Sequence, residues 1–286
     1  LFILIILFNA SGSFAQKLSM AEAKHAGDSI IPEAILPFWQ SLTLKEKAAQ
    51  TLMVYMPSAS YIKKHQFGGV LIMKPHLKDT LHLKEELSLA NESLKIPLLT
   101  AIDQEGGQVN RLQAISPEWK NLPSAKEMRT MTDDSVYNLA KQIGNALHHY
   151  GINLNLAPVL DPPKDSKGKP SFIEVSNRSF GEFETAVPKI RSFVKGTKES
   201  KVLSTSKHFP GYDSWTNSDH QIAFSTSSKE IILRNVELFK EFADEIPVIM
   251  LSSVRFVRLS NTPAVFNPKI TAMAREISPY TVLLTD

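Results

Sequence analysis

Val202-Leu203-Ser204-Thr205-Ser206-Lys207-His208-Phe209-Pro210-Gly211, continuing through Tyr212-Asp213-Ser214-Trp215-Thr216-Asn217-Ser218-Asp219 to His220, is the stretch from which the rest of the chain is read. The apolar-edged run Val202 to Ser206 predicts a short strand, and Pro210-Gly211 breaks the chain into a loop. Lys207, His208, Asp213, Asp219 and His220 follow that run closely. Titratable groups gathered where a strand hands over to a loop are how α/β barrels hold their chemistry. Without further context the same residues would make a polar surface turn.

Upstream and downstream, helical and strand-like segments alternate. Leu44 to Gln50 is a helix former with Thr43 as N-cap, and it leads into Thr51-Leu52-Met53-Val54-Tyr55. Gly68-Gly69 introduces Val70 to Met73, and a helix over Leu81–Asn91 precedes Pro97 to Ile102. An amphipathic helix over Ser135–Tyr150 precedes Ile152 to Ala157, and Ala186–Glu199 feeds Val202 to Thr205. Lys229–Ala243 feeds Pro247 to Leu251, and Pro268–Arg275 feeds Thr281 to Leu284. Continuous apolar runs bounded by Gly or Pro and separated by helices predict a parallel sheet covered on both faces. The runs give seven strands, one short of an eight-stranded (β/α)8 TIM-type barrel. A doubly wound open sheet is the alternative, but its usual Gly-rich phosphate loop after the first strand is missing.

Leu1 to Phe8 is apolar and is followed by a small-residue segment ending Ser13-Phe14-Ala15. This is the pattern of a secretory signal whose beginning is missing, too short for a membrane span, so residues 1–15 are expected to be removed and 16–286 to form an exported barrel, periplasmic or extracellular. With no cysteine there is neither a disulfide nor a thiolate metal site. The 32 basic and 29 acidic side chains are spread without a basic block, which removes the electrostatic footprint of a nucleic-acid binder. His148-His149 lack acidic partners at helical spacing, so no metal is expected there. Trp39, Trp119 and Trp215 are too scattered to form an aromatic platform, although Trp215 lies in the loop described above and would cover the site when that loop closes.

Lys207-His208-Phe209-Pro210-Gly211 followed nine residues later by His220 resembles the KHFPGHG(D/N)TxxDSH signature of glycoside hydrolase family 3, in its β-N-acetylglucosaminidase branch. Ile102-Asp103-Gln104-Glu105-Gly106-Gly107 with Arg111 is similar to that family's IDQEGGRVxR segment, with Gln108 in place of its first arginine. Asn155 to Asp161 resembles its NFAPVLD strand, and Arg178-Ser179-Phe180 its RSF loop. Thr262-Pro263-Ala264, Arg275-Glu276 and Val282 to Asp286 resemble the run leading to GxVxSD. These motifs occur in the family's order over nearly all of the chain after residue 15.

The resemblance implies roles. Asp103, Arg111, Arg178, Lys207 and His208 would bind hydroxyls of a terminal sugar, charged groups making the strongest directional hydrogen bonds to a neutral polyol. Asp286 would be the nucleophile forming a covalent glycosyl intermediate. His220 would be the acid/base, a role open to imidazole because its ordinary pKa lies near neutrality. Where the family pattern reads Asp-Ser-His, this chain reads Ser218-Asp219-His220, so the orienting carboxylate has moved next to the histidine. Tyr212 likewise replaces a histidine and Ser214 an Asp or Asn.

The implied activity is retaining release of terminal β-linked N-acetylglucosamine from amino-sugar oligosaccharides or peptidoglycan fragments, without metal or organic cofactor. A degenerate sugar-binding barrel and a β-glucosidase of the same family are the competing readings. The first draws on Ser218-Asp219; the second lacks the Lys-His-Phe-Pro-Gly loop with its trailing histidine. A chain that stops on the expected nucleophile lacks an eighth strand and its helix, so the expectation is a barrel truncated after strand seven, with room for an additional C-terminal domain.

Overall fold

The computed structural model describes residues 33–278 and 280–286. The apolar run at residues 1–8 and the expected export signal lie outside the described residues.

The expected alternation is what folds. Thr43 caps α1 (Leu44–Ala49) with a full capping box: Glu46 N–H donates to the Thr43 hydroxyl, and Glu46 accepts from Thr43 N–H. Strand β1 (Met53–Tyr55) follows, then α2 (Ala59–His65), β2 (Gly69–Ile72), α3 (Thr80–Asn91) and β3 (Leu99–Ile102). After α4 (Asp133–His149) comes the short β4 (Leu154–Asn155), then α5 (Phe183–Glu199) and β5 (Leu203–Phe209). A two-residue strand β6 (Phe224–Ser225) precedes α6 (Lys229–Glu241) and β7 (Val248–Leu251). Strand β8 (Arg255–Phe256), α7 (Pro268–Ile277) and β9 (Val282–Thr285) complete the order.

Seven strands form one parallel sheet in the order β1-β2-β3-β4-β5-β7-β9, and β6 pairs β8 in a separate ribbon. This is an α/β fold of the TIM-barrel type, as the alternation predicts. Among the described residues β1 and β9 are its two edges. The helix α2 and the β6/β8 ribbon were not foreseen; each is too short to display a period.

Side chains alternate along the strands as a pleated sheet requires. Ala101, Leu154, Leu156, Val248 and Met250 are buried together on the inner face, with Met53, Leu71, Leu203, Val282 and Leu284 packed against them. Their neighbours point outward under the helices: Val70 and Ile72 join Leu83, Leu87, Ile143 and Leu147, while Ile249 and Leu251 join Ile190, Phe193, Val236 and Phe239. Helices α4 and α5 approach closely because Gly196 has no side chain, a Cβ there standing 2.4 Å from the Tyr137 carbonyl oxygen.

Two departures bear on the site. Strand β5 runs to Phe209 rather than ending near Thr205, because its last inward positions are polar and the apolar-run criterion stops short of them. Its register with β7 passes from Ser206–Ile249 to Phe209–Leu251, three steps against two, so one extra residue is inserted at Lys207-His208. Such a bulge re-aims side chains beside a site. Beyond β3, Gly106 adopts φ +95°, and a Cβ there would lie 2.2 Å from the Pro123 carbonyl oxygen. Gly106→Ala is therefore expected to destabilise the fold by about 1–3 kcal/mol or more. A urea midpoint equal to that of the parent would contradict this close approach.

Candidate active site

The inward parity of three strands delivers the polar residues. Ala101 faces the barrel interior, and two and four positions on stand Asp103 and Glu105; Leu203 faces it, and four positions on stands Lys207; Leu284 faces it, and two positions on stands Asp286. All four line one cleft of about 940 Å³, with Arg111, Arg178 and His208, and the same cleft reaches the strand starts at Gly69 and Leu99. The cleft continues between Met53, Leu71, Leu156, Met250 and Leu284 of the barrel interior.

At its polar end Lys207, only 2% exposed, places Nζ 2.8 Å from Asp103 Oδ1 and 2.6 Å from Glu105 Oε1. Arg178 grips Glu105 with both arms, Nε donating to Oε2 at 2.8 Å and Nη2 to Oε1 at 2.9 Å. Arg111 Nη2 stands 3.9 Å from Asp103 Oδ2. Burial by itself would raise the Glu105 pKa, but the Arg178 guanidinium and Lys207 ammonium outweigh it and hold the carboxyl well below the usual range. For Lys207 burial pulls the other way, and Asp103 and Glu105 keep its pKa above the ordinary lysine value. Glu105 and Lys207 are therefore both ionised at neutral pH, with donors and acceptors fixed at the cleft wall.

The second unit is centred on Asp161. Its Oδ1 accepts the backbone N–H groups of His208 at 2.8 Å and Tyr212 at 2.7 Å, and its Oδ2 lies 2.6 Å from His208 Nδ1. A carboxylate accepts, so Nδ1 carries the proton and Nε2 is the ring atom left for a ligand. Tyr212 packs edge-on against His208 with ring centroids 5.8 Å apart. The Tyr212 hydroxyl donates to the Thr216 carbonyl and accepts the Ser218 N–H at 2.8 Å, bracing the loop across its base. Burial pushes the Tyr212 phenol above its ordinary pKa, so it stays a neutral donor. Asp213 is also buried and accepts the Ser227 hydroxyl; burial raises its pKa.

The structure thus brings together Asp103, Arg111, Arg178, Lys207, His208, Ser218, Asp219 and Asp286 around one cleft. His220 is exposed and is not among the lining residues. Among the described residues no hydrogen bond joins its ring to Ser218 or Asp219; the Asp219 N–H donates to Asn217 Oδ1 at 3.0 Å instead. Asp286 continues past β9, its N–H donating to the Leu251 carbonyl at 3.1 Å and its Oδ2 accepting the Ser253 N–H at 3.3 Å. Sequence reasoning assigned no role to Glu105 or Asp161. A signal existed for the first, since Glu105 stands two residues after Asp103 in the same motif. Trp215 is 71% exposed and does not line the cleft.

Comparison with known proteins places this geometry. Residues 43–275 match the model of the glycosyl hydrolase family 3 N-terminal domain. A beta-hexosaminidase of Actinobacillus pleuropneumoniae serotype 5b (strain L20) is 28% identical over 208 residues, covering 69% of this chain and 58% of its own length. A beta-hexosaminidase of Pseudomonas aeruginosa (strain LESB58) is 27% identical over 215 residues, covering 72% of this chain and 61% of its own length. A solved glycoside hydrolase family 3 beta-N-acetylglucosaminidase from Paenibacillus sp. str. FPU-7 superposes with a TM-score of 0.74 at 27% identity, over 86% of this chain and 49% of that one. The chain thus spans about six-tenths of the length of these curated relatives. The match over residues 43–275, on a parallel barrel with its charges at the strand ends, makes this chain a member of glycoside hydrolase family 3.

Proposed function

We propose that this chain forms the sugar-processing barrel of an exported, retaining glycoside hydrolase that releases terminal β-linked N-acetylglucosamine from amino-sugar oligosaccharides or peptidoglycan fragments. The observation that carries the reading is the meeting, in one cleft, of Asp286 with the fixed charges of Asp103, Arg111, Arg178, Lys207 and His208. The charged set holds the hydroxyls of the terminal sugar and so fixes its anomeric carbon against Asp286. The Asp286 carboxylate bonds to that carbon as the glycosidic C–O bond breaks, and the leaving oxygen takes a proton from the loop after β5. Water then attacks the same carbon and returns a proton to that loop, freeing Asp286, so two inversions give net retention. The relatives are beta-hexosaminidases, which supports the choice of sugar. Export rests on the pattern of residues 1–15.

The test is the anomer released first from an aryl β-N-acetylglucosaminide, followed by proton NMR. The β-anomer is expected; initial release of the α-anomer, or no release, sinks the reading. Asp103→Ala is expected to weaken N-acetylglucosamine binding by about 1.5–3 kcal/mol, the cost of a lost hydrogen bond to a charged group. Unchanged calorimetric affinity would take Asp103 out of the sugar site. A second reading, sugar binding without efficient turnover, draws on the exposed and unsupported His220. It is separated from the first by saturable binding without release of any aryl group.

A further inference from the structure

We propose that in this chain Asp219, not His220, exchanges the proton with the glycosidic oxygen; the inference rests on the hydrolase reading above. Asp219 and Asp286 line the same cleft, and His220 does not. The cause lies in how the loop is held. The Tyr212 hydroxyl ties down the Thr216 carbonyl and the Ser218 N–H, and Asn217 Oδ1 accepts the Asp219 N–H at 3.0 Å. Residues 217–219 thus line the cleft, and His220, exposed like Asp219, lies beyond its lining.

The chemistry agrees with the placement. An imidazole serving as acid depends on a neighbouring carboxylate to orient it and support its charged form, and no such contact reaches His220 among the described residues. A carboxylic acid is the usual proton donor of glycosidases. Moving the carboxylate one position along the loop therefore changes which kind of group faces the bond.

The steps balance. The Asp219 carboxyl gives its proton to the glycosidic oxygen as the bond from that oxygen to C1 breaks and an Asp286 oxygen bonds to C1. In the second half a water oxygen bonds to C1, its proton passes to the Asp219 carboxylate, and the bond from C1 to Asp286 breaks.

The experiment compares Asp219→Asn and His220→Gln in the full chain. The substrates are a β-1,4-linked N-acetylglucosamine disaccharide and a dinitrophenyl β-N-acetylglucosaminide, with and without sodium azide. Asp219→Asn is expected to lose roughly 10²–10⁴-fold on the disaccharide but little in kcat/KM on the dinitrophenyl glycoside, whose leaving group departs unprotonated, so that hydrolysis of the glycosyl intermediate limits its turnover. Azide, small enough to attack without a general base, should then raise turnover and yield the β-glycosyl azide. His220→Gln is expected to keep the parent's dependence on leaving group and to form no azide product. The opposite pattern, with azide product from His220→Gln only, overturns the assignment while leaving the hydrolase reading intact. Insensitivity of both variants does the same. A parent protein that binds N-acetylglucosamine yet cleaves neither substrate overturns the hydrolase reading and the assignment together. Should Asp219→Asn fail to fold, Asp219→Ser carries the same comparison.

Discussion

Asp286→Ala is expected to lower turnover of an aryl β-N-acetylglucosaminide by roughly 10⁴–10⁶-fold, the scale on which loss of a covalent nucleophile is felt. Affinity for N-acetylglucosamine should survive, because Asp103, Arg178 and Lys207 hold one another without reference to Asp286. Among the described residues that line the cleft, no other carboxylate is placed to take over. Asp103 and Glu105 are committed to Lys207 and Arg178, and Asp219 lies on the loop proposed to serve the leaving group. Azide added to Asp286→Ala should attack from the vacated side and give the α-glycosyl azide, the opposite anomer from that expected with Asp219→Asn. A variant within tenfold of the parent on the aryl glycoside would remove Asp286 from the reaction.

The second large effect concerns stability. Glu105→Gln leaves Arg178 and Lys207 buried without their shared anion, and breaking a buried pair in this way costs about 3–5 kcal/mol. The penalty depends on pH in a direction fixed by the depressed Glu105 pKa. In the unfolded chain the carboxyl titrates near 4.3, so at mildly acidic pH the unfolded state binds the extra proton. The stability that Glu105 supplies is therefore complete above that value and is lost as the pH falls through the lower folded one. The gap between parent and Glu105→Gln should be widest at pH 7 and should narrow progressively below about pH 5. Urea unfolding of both proteins across this range decides it. A gap that stays constant down to pH 3, or widens, would contradict the ionised network.

The strands were legible because each is a short apolar run with a Gly, Pro or helix on either side, and a sheet covered on both faces demands that pattern. The end of β5 was not, because Lys207 and His208 are strand residues whose polarity serves the cleft rather than the core. Asp103 and Lys207 could be named from their motifs, but their pairing could not, since they stand 104 residues apart in the chain. Glu105 was hidden for the same reason, its partner Arg178 lying 73 residues away. The loop from Tyr212 to His220 resisted most. Strands repeat every two residues and helices every 3.6, so a neighbour's direction can be counted off; an irregular loop has no period. The order Ser218-Asp219-His220 was visible as a departure, but which side chain faces the cleft is decided by the Tyr212 brace.

Asp161 gives that brace a wider meaning. One carboxylate holds the His208 ring and backbone and also the Tyr212 N–H from which the loop is hung. With His208 in the proposed sugar site, recognition and loop position share a single anchor, and thermodynamic reciprocity applies to them: whatever free energy a bound hydroxyl exerts on the loop through Asp161, the loop exerts on the hydroxyl.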